Sequence, residues 1–172
     1  MALCQGFWYK LSRLRFGPPR SGAEWRCRVP LQRDEIALVV LSLAEGAAFT
    51  PVQIQKAMFL ASDKASDAFD THYDFQPYDY GPFDWQVYSD VEGLEGQGLA
   101  QINQLPGTRW RTYAATHRGV TEGQRLARQL TREQRAVLEK IVNLVQRLSF
   151  NDLVSAIYRA YPHMRERSVF RD

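Results

Sequence analysis

Residues 80–102, YGPFDWQVYSDVEGLEGQGLAQI, and residues 109–126, RWRTYAATHRGVTEGQRL, decide how this chain folds. After Pro82, Phe83, Val87, Val91 and Leu94 recur at helical spacing, which predicts a helix with those residues on its buried face and fraying at Gly93, Gly96 and Gly98. Two strand-compatible runs follow, Leu99–Gln104 and Thr108–Thr116, on either side of the turn pair Pro106-Gly107. In the second run Arg109, Arg111 and Tyr113 alternate with Trp110, Thr112 and Ala114, the period of a strand. A hairpin tipped by Pro106-Gly107 is therefore expected after the helix.

Working outward, Ile36, Val39, Val40 and Leu43 mark one helical face from Asp34 onward, with Gly46 available as a left-handed cap. Thr50-Pro51-Val52-Gln53 reads as a capping box with proline at the first helical position, and Ile54, Ala57, Met58, Ala61, Ala65 and Ala68 continue the helix. Residues 70–82, DTHYDFQPYDYGP, mix aromatics, aspartates, prolines and a glycine, so an aromatic loop is expected there. Downstream, Thr121 and Thr131 each have Gln three places on and predict helix starts, and Ser149 with Asp152 opens a last helix that Pro162 stops. The resulting fold class is mainly α with a small β-hairpin: a winged-helix-like unit at 34–130, completed by a C-terminal helical pair within 131–172.

A length of 172 residues with 45% hydrophobic residues is the size and composition of one globular core. No apolar run approaches the roughly 18 residues of a membrane span, the longest lying near Ile36–Ala44. Cys4 and Cys27 lack CxxC spacing, so neither a zinc site nor a redox motif is read, and a reducing cytoplasm is expected. The net charge of +3 conceals a segregation: residues 1–33 carry seven Lys or Arg against one Glu, and residues 34–104 two lysines against twelve acids. Residues 105–135 then carry seven arginines against Glu122 and Glu133.

Residues 1–33 combine arginines with Phe7, Trp8, Tyr9, Phe16 and Trp25 and show no sustained period, so they read as a basic, flexible arm. Three origins stay open: an organelle-targeting segment, a nucleic-acid-binding arm, or upstream sequence translated from a start codon placed too early.

The text around residues 80–126 resembles the PadR and MarR type of winged helix, in which the third helix ends "L-E-x-x-G-L-I" and the wing's return strand reads "Y-x-L-T-x-x-G". The matching residues are Leu94, Glu95, Gly98 and Leu99, then Tyr113, Thr116 and Gly119. A second resemblance rests on TPVQIQKAMFLA, the turn YGPF and the later SFNDLVSAIYRAYPHMRERSVF. These runs are similar to the Panacea antitoxin-domain family and its phage-associated relatives, where "T-P-x-x-L-Q-K-x-x-Y" precedes "Y-G-P-V". Ile54, Met58 and Phe59 stand where that family tends to have Leu and aromatic residues, and Phe83 where it usually has Val. The resemblance implies regulatory binding.

Recognition of DNA through the third helix needs cationic or amide side chains, yet no Lys or Arg occurs between Lys64 and Arg109, and Asp84, Asp90, Glu92 and Glu95 occupy that stretch. The arginines Arg109, Arg111, Arg118, Arg125 and Arg128 are the alternative docking set. The aromatics Tyr73, Phe75, Tyr78, Tyr80, Phe83 and Trp85 either close the end of the core or stand exposed as interface anchors. His72, His117 and His163 are scattered, no nucleotide or hydrolase motif is present, and Asp63, Asp67, Asp70 and Asp74 lack the glycine and terminal glutamate of a calcium loop. No catalytic residue, metal ligand or cofactor is therefore read. The expected function is a non-catalytic, antitoxin-like or phage-associated protein-binding module using Tyr78, Tyr80, Phe83, Asp84, Trp85 and Asp90, with DNA-binding transcriptional regulation as the alternative and a homodimer left open. Since residues 1–30 offer no periodic apolar face, thermal melts of the full chain and of a chain beginning at Leu31 are expected to agree within a few degrees.

Overall fold

The computed structural model describes residues 30–104, 107–108 and 110–171, so the expectations for the arm, for Cys4 and Cys27, for Pro106 and for Arg109 lie outside the described residues. Among the described residues the protein is mainly helical, with six α-helices and two small antiparallel two-stranded sheets.

The first helix, α1 (Arg33–Leu43), is capped where the Gln32 N–H donates to Glu35 Oε2 at 2.9 Å. The folded chain begins before Asp34. Leu31 is buried and its backbone bonds with Ala68 O and Asp70 N at 2.9 and 2.8 Å, so Leu31 belongs to the core and Arg33 opens α1. Helix α2 (Pro51–Lys64) starts at the expected capping box, Thr50 Oγ1 accepting from Gln53 N and Gln53 Oε1 from Thr50 N. Both helices are buried over consecutive residues, Ile36–Ser42 and Ile54–Ala61, rather than along one stripe. That all-round burial marks them as the centre of the core, with the other elements arranged around them.

The stretch read as an aromatic loop contains a second hairpin, β1 (Gln76–Tyr78) paired with β2 (Gly81–Phe83). Gly81 sits at φ 97°, a conformation glycine tolerates and that lets the chain turn back within two residues. Phe83 is consequently a strand residue, and the helix expected directly after Pro82 begins later, as α3 (Gln86–Gly96), with Val87, Val91 and Leu94 buried. Next come β3 (Ala100–Gln104) and β4 (Arg111–Ala115), the expected hairpin, in register from Ala100 opposite Ala115 to Gln104 opposite Arg111. Phe49, between α1 and α2, adds a bridge on the far side of β4, exchanging two backbone hydrogen bonds with Tyr113 at 2.8 and 2.9 Å.

Helix α4 (His117–Ala127) is capped by Thr116, whose Oγ1 accepts from Gly119 N at 3.0 Å, so the start expected at Thr121 lies a turn too late. The helices α5 (Arg132–Arg147) and α6 (Phe150–Ala160) begin at the expected Thr131 and Ser149 caps. Helix α5 buries Val137, Leu138, Ile141, Val142 and Val145 and is tied to α2 by Gln53 Nε2 donating to Val145 O at 3.1 Å. Pro162 ends α6 and opens a 3₁₀ turn through Arg165.

Two glycines let α4 lie against its neighbours. A methyl group at Gly119 would stand 1.8 Å from the Leu99 carbonyl oxygen, and one at Gly123 2.5 Å from Ser42 Cβ and 2.9 Å from Leu38 O. In an unconstrained helix interior, Gly→Ala stabilises by roughly 0.5–1 kcal/mol. Here the sign is expected to reverse: Gly123→Ala should destabilise by about 1–3 kcal/mol and Gly119→Ala, which meets backbone, by more, read as lower urea midpoints at unchanged m.

Candidate interaction surface

The β1–β2 hairpin is held from beneath by two polar side chains in the buried middle of α2. Gln55 Nε2 donates to Asp84 O at 2.9 Å while the Asp84 N–H donates to Gln55 Oε1 at 3.1 Å, so one side-chain amide pairs with both backbone groups of one residue as a neighbouring strand would. The adjacent Lys56, only 2% exposed, donates from Nζ to Pro82 O at 2.9 Å. Burial pushes its ammonium down to about 7. Gly81 completes the seat, because a Cβ there would lie 3.2 Å from the Tyr158 ring and 3.5 Å from Lys56 Cε. On the other flank the segment after α6 returns to the hairpin, with Val169 N and Ser168 Oγ donating to Asp79 O and Tyr158 Oη donating to Ser168 Oγ.

On this support the aromatics divide. Tyr73 is buried, its hydroxyl donating to Asp90 Oδ2 at 2.7 Å; burial first and that carboxylate second push the phenol's pKa upward. Phe75 packs edge-on against Phe59, and Tyr80 against Phe150 at 5.1 Å. Phe83 lies half-buried between Tyr78 at 5.0 Å and Tyr88 at 5.8 Å, and Tyr88 stacks flat on Tyr113 of β4 at 5.5 Å. A ladder of rings thus runs from the hairpin across α3 to the second sheet. At its hairpin end Tyr78 is 51% exposed, and Trp85, at the N-terminus of α3, is 65% exposed.

Of the six residues predicted to bind a partner, Tyr78 and Phe83 pack ring against ring, Trp85 stands exposed at the start of α3, and Tyr80 turns to the Phe150 side. Asp84 and Asp90 act within the fold. Asp84 Oδ1 accepts from Gln86 N at the start of α3 and Oδ2 from Asp74 N. Asp90 accepts from Tyr73 and Gln86 and pairs with Arg33 Nε at 3.5 Å. Asp74 and Glu92 are exposed, Glu92 in a pair with Arg111.

The arginines of the alternative reading do not gather on one patch with free heads. Arg111 pairs with Glu92 at 3.1 Å, Arg125 makes a two-pronged pair with Glu122, and Arg118 donates to Gln97 O at 3.0 Å. Arg118 lines an open cleft with Gln97, Leu99, His117, Thr121 and Glu122, and Arg128 is exposed just past α4. Surface pairs of this kind hold a charge by about 0–1 kcal/mol. The aspartate series is likewise dispersed, Asp63 accepting from Tyr161, Asp70 from Gln32 and Asp74 from Gln76. Among the described residues no group of three His, Cys, Asp or Glu is placed to hold a metal ion, and no helix is long and apolar enough to cross a membrane.

Neither known family models nor curated proteins contain a match to this chain. The sequence reading missed Gln55 and Lys56 as the residues that position the surface, although a Gln-Lys pair inside the otherwise apolar run Ile54–Ala61 is the signal that could have found them.

Because Lys56 titrates near 7 when folded and near 10.5 when unfolded, the unfolded chain binds more protons in between. Stability from this group therefore rises with pH across that window and is flat below it. Urea midpoints taken across about pH 7 to 10.5 should show the rise in the natural protein and lose it in Lys56→Met.

Proposed function

We propose that this chain is a non-catalytic regulatory module that grips a protein partner through the surface bearing Tyr78, Phe83 and Trp85, in the manner of an antitoxin or phage-associated accessory protein of the cytoplasm. The observation that carries this reading is the exposure of Tyr78 at the end of β1 and of Trp85 at the start of α3, beside a hairpin anchored by two buried polar side chains. Large aromatics standing in water on a rigid support are the residues that dominate protein interfaces, since they bury much area while losing few rotamers. The resemblance to Panacea antitoxin domains supports the same reading in a physical way. Its two text motifs, Thr50–Lys56 and Tyr80–Phe83, meet in space, Lys56 reaching the Pro82 carbonyl.

The second reading, a winged-helix regulator that binds DNA, is favoured by the bridge between Phe49 and Tyr113, which attaches the β3–β4 hairpin to the chain between α1 and α2 as a wing is attached. Against it stands the third helix, α3, which carries Asp90, Glu92 and Glu95 and no cation. Like charges facing phosphate repel, so docking would fall to Arg111 and to the arginines of α4.

Affinity capture and gel-shift assays on one mutant series separate the readings. For a protein partner, Trp85→Ala should weaken capture by about 2 kcal/mol or more, roughly thirtyfold, while Arg111→Ala changes little. Asp74→Lys and Glu92→Lys should slow association, more so at low salt. For DNA the order inverts: Arg111→Ala weakens binding and lowers the salt slope by about one, and Glu92→Gln strengthens it. Tight, salt-sensitive DNA binding indifferent to Trp85 would remove the protein-partner reading.

A further inference from the structure

The sheet of β3 and β4 has one open side. Phe49 pairs with Tyr113 on the far side of β4, and the two exchange both backbone hydrogen bonds. In an antiparallel ladder the backbone groups of successive residues point to opposite sides, so Tyr113 and Ile102, which face each other, do not bond to each other. The N–H and C=O groups of Ala100, Ile102 and Gln104 therefore point away from β4, and β3 is the edge of the sheet. The Ile102 N–H donates at 2.9 Å to Glu95 Oε1, so a carboxylate from the end of α3 takes the place of a neighbouring strand's carbonyl. Helix α3 itself lies under the sheet, where Tyr88 stacks on Tyr113, and Gln101, Asn103 and Gln104 stay exposed.

Exposed edge strands ordinarily carry a charge, a proline or a bulge that keeps other strands off. Strand β3 carries none of these. Its register with β4 is unbroken, and no charged residue stands between Glu95 and Arg109, the longest uncharged run of the sequence. That matters most for contact between identical copies, because a two-fold axis through a strand sets each charge near its own counterpart. An antiparallel pairing centred on Ile102 sets the two Ile102 residues against each other, each Gln101 against an Asn103 and each Ala100 against a Gln104. The two Ile102 residues then exchange the N–H and C=O groups that already point outward, their half-buried side chains meet, and the exposed amides of Gln101 and Asn103 bond across the pair. The strand is thus complementary to itself in hydrogen bonding and in charge.

We propose that two copies of this chain pair through the β3 edge, antiparallel and with Ile102 on the two-fold axis, to form one four-stranded sheet in the order β4, β3, β3, β4. Glu95 gates the contact. In the free chain its carboxylate holds the Ile102 N–H, and pairing must move both Glu95 carboxylates aside while bringing them close to the axis, where they repel. The paired segment is short, so the dissociation constant falls in the micromolar-to-millimolar range. None of the residues used is one on which the reading of the Tyr78 and Trp85 surface rests, so either can fail without the other.

Sedimentation velocity of the full chain at concentrations up to about 1 mM should show a monomer–dimer equilibrium. Glu95→Ala removes the cover from the edge and the repulsion at the axis, and should tighten the dimer about fivefold. Ile102→Pro deletes the outward N–H but no hydrogen bond of the β3–β4 ladder, so the hairpin keeps its pairing while the dimer should be lost. Gln101→Lys with Asn103→Lys sets like charges opposite each other on exposed positions and should also abolish the dimer, which decides the matter if the proline variant does not fold. In the natural chain, amide shifts that change with concentration should centre on residues 100–104. A dimer lost in the lysine pair and in the folded proline variant supports the contact. Retention of the dimer by either variant, folded by circular dichroism, overturns it, as does a chain that stays monomeric at every concentration even with Glu95→Ala.

Discussion

Gln55 and Lys56 lie in the buried middle of α2 and point their polar ends at the backbone of residues 82–84. An unpaired buried amide or carbonyl costs about 1–3 kcal/mol, so this arrangement is stable only with both sides in place. The helix satisfies the hairpin's edge and the hairpin satisfies the helix's side chains. Lys56 is the more demanding partner, because among the described residues no carboxylate pairs with it and its hydrogen bond is to a neutral carbonyl. The protein accommodates it by moving its proton affinity to about 7 rather than by pairing its charge. Position 81 must then stay glycine, for both its φ of 97° and the Lys56 and Tyr158 atoms that crowd it.

The other half of the core is organised by close approach. Helix α4 runs against α1 and against the Leu99 carbonyl at Gly119 and Gly123, with no room for a side chain at either. The same carbonyl accepts from Thr116 N, so the end of α3, the start of β3 and the cap of α4 share one junction. Beta-strand four is thereby fixed in front of α3, where Tyr113 stacks on Tyr88 and the ring ladder reaches the hairpin. The hairpin support and the glycine junction are thus mechanically connected through aromatic contacts.

Local signals were legible in the sequence where the deciding atoms lie within one turn. Thr50, Thr131 and Ser149 cap helices because each hydroxyl meets an N–H three residues on. Thr121 carries the same pattern with Gln124, yet the helix begins at Thr116, because Thr116 also donates to Gly98 O and the chain must be helical by Gly119 to pass Leu99. That choice is tertiary and invisible to a spacing rule. The same holds for Phe83, which continues the apolar period of α3 but is claimed by its pairing with Gln76. In the site, the sequence showed which residues are aromatic or acidic but not which are already engaged. Asp84 and Asp90 read as free charge and prove to be fold hydrogen-bond acceptors, whereas Tyr78 and Trp85 keep the exposure an interface needs.

The charge segregation takes on a different meaning once the acids are sorted by their partners. Asp84 and Asp90 are screened by donors from Asp74, Gln86, Tyr73 and Arg33, and Glu92 by Arg111. What remains facing water near the hairpin is a narrow acidic and aromatic strip rather than a broad negative field. A narrow strip contributes little long-range steering, since the Debye length is about 8 Å at physiological salt. It instead favours ligands that place a few cations and flat apolar groups at close range, where carboxylate pairing and ring stacking act together. On the proposed reading, that combination would favour a polypeptide bearing arginine and aromatic residues over nucleic acid, whose phosphates carry the same sign of charge as the carboxylates.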